Sequence, residues 1–381
     1  MRPGNLDTSE RPFVLIWELT QACGLACDHC RADAKPQRHP DELSTAEGKE
    51  LLEGAAEFGD GQLVVLSGGD PLVRDDVAEL IAHGDDLGMR MTITPSGTGS
   101  LTADRIREMA DAGLKRMAVS LDGASPESHD AFRGEDGSFE ETIRAVEDAR
   151  AAGVPVQVNT TVCRQTVSEL PEIRELLTEI GAVMWSVFFL VPIGRGRVLE
   201  PIEPEWADAV MEWLAEVSDE EPFGVKTTEA PQYRRVAMQR QQGQASDDAE
   251  GDGSDGTPNP GIERRTGIVA GDGFGFVSHT GEVFPSGFLP ESAGNVRDRP
   301  VTELYRDSEL FQSLRDRDQL SGKCGACPYR NVCGGSRSRA FAHTGDPLAS
   351  DPLCPFVPEE YDGPLPWDDA DGGARSVSSG D

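Results

Sequence analysis

The stretch Thr20-Gln-Ala-Cys23-Gly-Leu-Ala-Cys27-Asp-His29-Cys30 constrains this chain more than any other part of it. It sets three cysteines in C-x3-C-x2-C spacing directly behind an apolar, strand-like run, Phe13-Val-Leu-Ile-Trp17. Three thiolates on one tight loop can hold three irons of a cubane 4Fe–4S cluster. The fourth iron then has no cysteine and is open to a small molecule. Other uses of cysteine fit less well. A structural zinc site takes four ligands, typically as two C-x2-C knuckles. A bacterial ferredoxin run is C-x2-C-x2-C with a fourth cysteine close behind. A disulfide framework suits a small secreted chain, not one of 381 residues with no export signal in Met1-Arg-Pro-Gly-Asn-Leu-Asp. Three unrelated buried thiols would need no such spacing.

From residue 13 to about 190, short apolar runs alternate with amphipathic ones. Strands are expected at 13–19, 63–66, 90–94, 116–121, 154–162 and 184–190. Helices are expected at 44–58, opened by the capping-box pattern Ser44-Thr-Ala-Glu47, and at 75–87, 102–112, 138–152 and 168–180. Gly59, Gly88, Gly113, Gly153 and Gly181 stand where C-cap glycines do. Six β-α repeats mean parallel strands with right-handed crossovers, an α/β fold that suits an open, partial (β/α)6 barrel of the TIM type. In such a barrel the chemistry sits at the C-terminal ends of the strands, where the cysteine loop lies. Residues 1–12 read as an N-terminal extension, 13–200 as the barrel core and 201–240 as a helical linker with Trp206, Val210, Met211, Trp213 and Leu214 on one face. The span 241–261 reads as a disordered acidic insertion, 262–360 as a small cysteine-rich domain, and 361–381 as a disordered tail.

The net charge is −33, and the lysines are only Lys35, Lys49, Lys115, Lys226 and Lys323. Acidic residues spread along the whole chain point to a halophilic surface, where salt screens charge to a few Å. Such a surface argues against nucleic acid or an anionic membrane as partner. No apolar run is long enough to span a bilayer, so a cytoplasmic location is expected.

The cysteine spacing resembles that of the radical S-adenosylmethionine (SAM) superfamily. Two further segments carry the resemblance. The second strand ends in Ser67-Gly68-Gly69-Asp70-Pro71, where the family has Gly-Gly-Glu-Pro and binds the methionine amino group of SAM. The glycines let backbone approach a ligand closely, and Asp stands for Glu. The fourth strand ends in Ser120-Leu-Asp122-Gly123, followed by His129-Asp-Ala-Phe-Arg133, which is similar to the segment meeting the SAM carboxylate and ribose. The resemblance assigns Ser120 and Arg133 to the carboxylate, an apt use of a guanidinium fork. It gives Ser96 and Asn159 to the ribose, and it sets His29 near the adenine. Cys23, Cys27 and Cys30 are the implied cluster ligands.

A second cysteine set, Cys324, Cys327, Cys333 and Cys354, has C-x2-C-x5-C-x20-C spacing. Spacing alone allows a full 4Fe–4S site or a tetrahedral zinc site. The segment resembles a SPASM/twitch-like domain that has lost part of its cysteine set. Ser286 stands at the cysteine of the G-x4-C element, and Ser336 and Arg337 follow Cys333 where another ligand is common. One auxiliary 4Fe–4S cluster is therefore expected rather than two. Cys163, on an expected strand, reads as a packed thiol.

The nearest resemblance is to the tetrapyrrole-editing branch of the superfamily, the heme d1 and siroheme-dependent heme enzymes. It rests on Ile16-Trp17-Glu18-Leu19-Thr20, on Ser278-His279-Thr280-Gly281-Glu282-Val283, on Gly294-Asn295-Val296-Arg297 and on Cys333-Gly-Gly-Ser-Arg337-Ser-Arg339. The implied activity is an oxidoreductase or lyase that cleaves SAM to a 5′-deoxyadenosyl radical and decarboxylates or removes side chains of a porphyrin. The implied electron donor is a ferredoxin or flavodoxin. Arg195, Arg197, Arg337 and Arg339 are candidate holders of substrate carboxylates. The alternative within the superfamily is a maturase of a ribosomal peptide, although only about a dozen residues precede the first strand, too few for a recognition module. A non-catalytic iron–sulfur carrier would need neither the Ser67–Pro71 nor the Ser120–Arg133 element.

Overall fold

The computed structural model describes residues 6–248 and 268–366. Most of the 241–261 span and the end of the tail lie outside them.

Seven strands lie side by side in chain order, all parallel: β1 (Val14–Glu18), β2 (Leu63–Ser67), β3 (Arg90–Ile93), β4 (Arg116–Ser120), β5 (Val156–Val162), β6 (Met184–Phe189) and β7 (Gly224–Thr228). The helices between them are α1 (Thr45–Ala56), α2 (Val77–Asp86), α3 (Ala103–Asp111), α4 (Pro126–Arg133), α5 (Ser138–Ala151), α6 (Leu170–Ile180) and α7 (Pro204–Glu220). The curled half-barrel expected from the repeats is there. The strand and helix ends differ from the sequence reading by a residue or two, the usual uncertainty of fraying termini.

Local chemistry explains the elements. Ser44 caps α1 by accepting from the Glu47 N–H while Glu47 reaches back to Ser44, a complete capping box. Mid-helix Gly48 costs roughly 1 kcal/mol of helix propensity, but a Cβ there would lie 2.4 Å from the indole of buried Trp17. The helix therefore gives up propensity to seat the largest side chain of β1. On β5 burial alternates strictly, with Val156, Val158, Thr160 and Val162 packed outward against the helices and Gln157, Asn159 and Thr161 turned to the barrel lumen.

Two features depart from expectation. The 201–240 span is not a helical linker: it holds α7, the seventh strand β7 and the start of α8 (Tyr233–Asp248). Its supposed apolar face is broken, since Trp206 is 57% exposed while Met211 and Leu214 are buried. α8 also carries regular structure into the first residues of the span read as disordered. The second departure concerns the C-terminal segment, which joins the barrel's own sheet. After β8 (Val269–Ala270), strand β9 (Gly273–Val277) pairs parallel with β1, with Val14 opposite Phe274 and Trp17 opposite Val277. Strand β10 (Val283–Phe284) pairs antiparallel with β9. Helices α9 (Val301–Asp307), α10 (Glu309–Arg315), α11 (Gly322–Ala326) and α12 (Arg337–Thr344) follow. Among the described residues, no helix is long and apolar enough to cross a membrane.

Candidate functional site

The loop after β1 carries Cys23, Cys27 and Cys30. Its entry and exit are clamped together, with Cys23 N–H donating to Lys35 O at 2.8 Å and Lys35 N–H to Gln21 O at 2.9 Å. The clamp is fastened to the end of β2. Gly69 N–H donates to Thr20 O at 2.8 Å and Asp70 N–H to Ala22 O at 2.7 Å. This contact explains the glycine pair. A Cβ on Gly69 would stand 2.4 Å from Ala22 O and 2.6 Å from Gln21 O. Gly68, at φ +157, would put one 2.5 Å from Thr20 O. The close approach that needs glycine is therefore to the cysteine loop itself, while the same residues still border the cavity described next.

Asp70 has a different task from the one its motif suggests. Its carboxylate is buried and accepts from the Leu72 N–H at 3.1 Å, Thr98 Oγ1 at 2.8 Å and Ser100 Oγ at 2.9 Å. That pins the loop after β3 to the β2 turn. Neither Asp70 nor Pro71 borders the cavity, so a ligand amino group would meet backbone there rather than this carboxylate.

The cavity, of about 1350 Å³, fills the lumen of the half-barrel. Cys23, Cys27 and Cys30 lie on its wall together with Gly68, Gly69, Ser96, Ser120, Asn159, Arg133 and His29. The topology thus gathers these sequence candidates from strands β2 to β5, the end of α4 and the cysteine loop. A buried polar group joins them. Arg133 donates Nη2 to Ser96 O at 2.8 Å and sets Nη1 3.7 Å from Asp122 Oδ2. Asp122 Oδ1 accepts from Thr161 N–H at 2.7 Å, and its Oδ2 lies 3.9 Å from His29 Nε2. The His29 ring stacks on Phe132, 4.7 Å between centroids and 10° from parallel. Burial lowers the His29 pKa to about 4, with Asp122 pulling the other way, so the ring is neutral near pH 7. Burial pushes the Cys27 thiol up, and Arg133 opposes it.

The residues fit the cofactors the sequence implies. His29 Nδ1, Asp122 Oδ2, Arg133 Nε and Arg195 Nη2 are buried without a hydrogen-bond partner, a costly state that a polar ligand would relieve. Backbone N–H groups already point at two sulfurs, Leu25 to Cys23 at 3.3 Å and Ala34 to Cys30 at 3.4 Å, as they do where thiolates ligate. The sequence motif contains Asp122 but assigns it no role. Its place at the end of a barrel strand was the available signal.

The second cysteine set converges too. Cys324, Cys327, Cys333 and Cys354 surround a small cavity of about 20 Å³, bordered by Lys323 and Arg235. Sulfur acceptors are served by Gly335 N–H to Cys333 at 3.4 Å, Asp351 N–H to Cys324 at 3.4 Å and Arg337 Nη2 to Cys324 at 3.7 Å. Burial pushes the Cys354 thiol up to about 12. Gly335, at φ +70, leaves room that a Cβ would fill 3.2 Å from Cys324 Sγ. None of the eight cysteines is in a disulfide, and Cys163 is buried against Leu190, Leu199 and Phe132.

Where the SPASM pattern has further cysteines, this chain has a hydrogen-bonded knot. Glu229 accepts from Ser286 Oγ at 3.1 Å and Ser338 Oγ at 2.9 Å, and also from Ser336. Arg337 and Arg339, expected as substrate contacts, are structural instead. Arg337 spends its guanidinium on Pro347 O, Ala349 O and Gly335 O. Arg339 bridges Asp351 to Phe189 O, Leu190 O and Glu229 O, tying α12 to the ends of β6 and β7. Arg197 is exposed, and Arg195 holds Cys27 O at 2.9 Å and Ala34 O at 3.1 Å.

Comparison with known proteins agrees with this geometry. The profile of the radical SAM superfamily matches residues 17–177. The chain is 40% identical to the AdoMet-dependent heme synthase of Methanosarcina barkeri (strain Fusaro / DSM 804), over 91% of this chain and 97% of that one. It is 32% identical to the Fe-coproporphyrin III synthase of the same organism, over 93% of this chain and 90% of that one. In fold it is similar to Streptococcus suis SuiB bound to S-adenosylmethionine, at TM-score 0.71 and 15% identity, over 91% of this chain and 78% of that one.

Proposed function

Because the chain belongs to the radical SAM superfamily and, within it, to the family of the AdoMet-dependent heme synthases, we propose that this tetrapyrrole-modifying enzyme decarboxylates propionate side chains of an iron porphyrin to vinyl groups. The observation that carries the reading is that the three-cysteine loop opens onto the same large lumen as the polar group at Ser120, Asp122 and Arg133.

The chain's own residues set up the reaction. Cys23, Cys27 and Cys30 would hold the 4Fe–4S cluster. Bound there, a cluster with one open iron supplies the electron that breaks the sulfonium bond of SAM and so makes the radical that takes hydrogen from the substrate. Gly68 and Gly69 offer backbone to the SAM amino group, Arg133 its free Nε to the carboxylate, and Ser96, Asn159 and Asp122 polar atoms to the ribose. Neutral His29, held flat on Phe132, would lie beside the adenine. The barrel wall would exclude water and hold the reacting carbon of the substrate within reach of the radical.

Cys324, Cys327, Cys333 and Cys354 would hold one auxiliary 4Fe–4S cluster, saturated by cysteine and suited to electron transfer. A ferredoxin or flavodoxin donor, a cytoplasmic location and a high-salt habitat complete the reading, the last supported by the net charge of −33.

The test is anaerobic. The reconstituted enzyme, with SAM and reductant, is offered iron-coproporphyrin or didecarboxysiroheme, and tetrapyrrole mass and 5′-deoxyadenosine are followed together. SAM-dependent loss of carboxyl groups from iron-coproporphyrin is the expected result. Deoxyadenosine formation with neither tetrapyrrole altered would overturn the substrate and leave a peptide maturase in its place.

A further inference from the structure

The floor of the barrel lumen, below the cofactor residues, is basic. Arg90 opens β3, Arg116 opens β4, and Lys226 stands mid-way along β7, and all three side chains border the cavity. Lys226 is exposed, and its side chain borders the cavity. Arg116 reaches Met184 Sδ at 3.4 Å. Among the described residues, none of the three has a carboxylate within ion-pair distance. That is unusual in a chain with 68 acidic against 35 basic residues. Most other arginines among the described residues are paired with a carboxylate, Arg31 with Glu18, Arg74 with Asp76, Arg235 with Asp208 and Arg339 with Asp351.

Arg116 lies within electrostatic reach of each of the other two cations. Burial lowers the Arg116 pKa and Arg90 lowers it further; burial lowers the Lys226 pKa to about 8, with Arg116 adding to it. Like charges brought together inside a lumen and left without a counter-charge destabilise the free protein. An anion on the floor would remove that cost. Apolar side chains border the same space, Val14, Leu63, Val65, Phe274, Phe276 and Met184 among them. Apolar surface beside fixed positive charge fits an apolar ring rimmed by carboxylates. Height fits as well. Arg116 and Ser120 are four residues apart on β4, about 13 Å at the usual rise of a strand. A ring anchored at the floor would present its opposite edge at the level of the SAM site.

Building on the function proposed above, we propose that Arg116 and Lys226, with Arg90 beside them, are the specificity-determining anchors that hold the substrate's unreacting carboxylates at the floor of the barrel. They replace Arg337 and Arg339 in that role.

The test titrates iron-coproporphyrin III, by its Soret band, into the anaerobically reconstituted enzyme and into Arg116→Gln, Lys226→Gln and the charge-conserving Lys226→Arg. The iron complex of coproporphyrin tetramethyl ester, the same ring without carboxylates, is titrated alongside, and cluster absorbance and SAM binding are read in each protein. Each Gln variant is expected to bind iron-coproporphyrin about tenfold more weakly, to bind the ester as the unaltered enzyme does, and to keep its clusters and SAM affinity. Lys226→Arg is expected to retain most of the affinity, which keeps the test decisive should Lys226→Gln fail to fold. Gln variants with intact clusters that bind iron-coproporphyrin normally would overturn the anchors alone. An unaltered enzyme that binds no iron-coproporphyrin would overturn the functional reading and the anchors with it.

Discussion

Arg31, the residue after the last cysteine of the first loop, donates Nη2 to Glu18 Oε2 at 2.7 Å, and Glu18, on β1, takes His279 Nδ1 on its other oxygen at 2.9 Å. Burial alone would raise the Glu18 pKa, but Arg31 and His279 together hold it below the ordinary carboxylate value. The cysteine loop, the first strand and the C-terminal segment thus meet on one charged side chain. Arg31 also lies over the Phe276 ring, 4.7 Å from its centroid. Glu18→Ala would leave the guanidinium largely buried and unpaired, at a cost of about 3 kcal/mol. The expected result is a lower urea midpoint and less iron bound per chain after reconstitution. Unchanged midpoint and iron content would remove this pair from the account of the loop.

Gly69→Ala is expected to damage the cluster loop rather than SAM contacts. Its Cβ would meet two backbone oxygens of that loop, inside 2.7 Å of each, and backbone cannot swing away as a side chain can. Overpacking of this kind costs typically 1–3 kcal/mol. The readout that separates the two roles is iron content in the absence of SAM. A variant with full iron content and weak SAM binding would return the glycine to the ligand.

The two cysteine sites are separable by removal. Cys27→Ala is expected to abolish deoxyadenosine formation, because two thiolates cannot hold the cluster. Cys327→Ala is expected to keep SAM cleavage and lose product. Retained cleavage in the first variant would sink the cluster assignment, and normal turnover in the second would make the C-terminal site purely structural.

Much of this was legible in the sequence because it is local. The Ser44 and Glu47 box, the strand alternation and the cysteine spacing are short-range patterns, and each appears in the fold where it was read. The pairing of β9 with β1 joins distant parts of the chain, and no local pattern encodes it. The strand Gly224-Val-Lys-Thr-Thr228 was hidden for another reason: bordering the cavity, it lacks the apolar run of a strand buried on both faces. Arg337 and Arg339 misled because a guanidinium quenching carbonyl oxygens in a core looks, in sequence, like one waiting for a carboxylate. Lys226 and Arg116 were visible as charges, but only the curl of the sheet brings them together.

His129 makes a pH dependence that can be isolated. The ring is fully buried, its Nδ1 accepting the Asp122 N–H at 3.1 Å and its Nε2 lying 3.3 Å from Ser138 Oγ. Burial lowers its pKa from 6.5 to about 4, with Asp122 opposing and Arg133 assisting. The folded protein therefore keeps the ring neutral where the unfolded chain takes up a proton. Stability from this group is complete above the unfolded value and is lost as pH falls from 6.5 towards 4. One pKa unit corresponds to about 1.4 kcal/mol, so the loss between about pH 7 and about pH 5 is on the order of 2 kcal/mol. His129→Asn retains an acceptor for the Asp122 N–H and cannot titrate. Urea midpoints measured anaerobically at both pH values should fall less in this variant than in the unaltered protein, by about that amount. An equal fall in both proteins would mean that the His129 ring titrates in the folded protein much as it does in the unfolded chain.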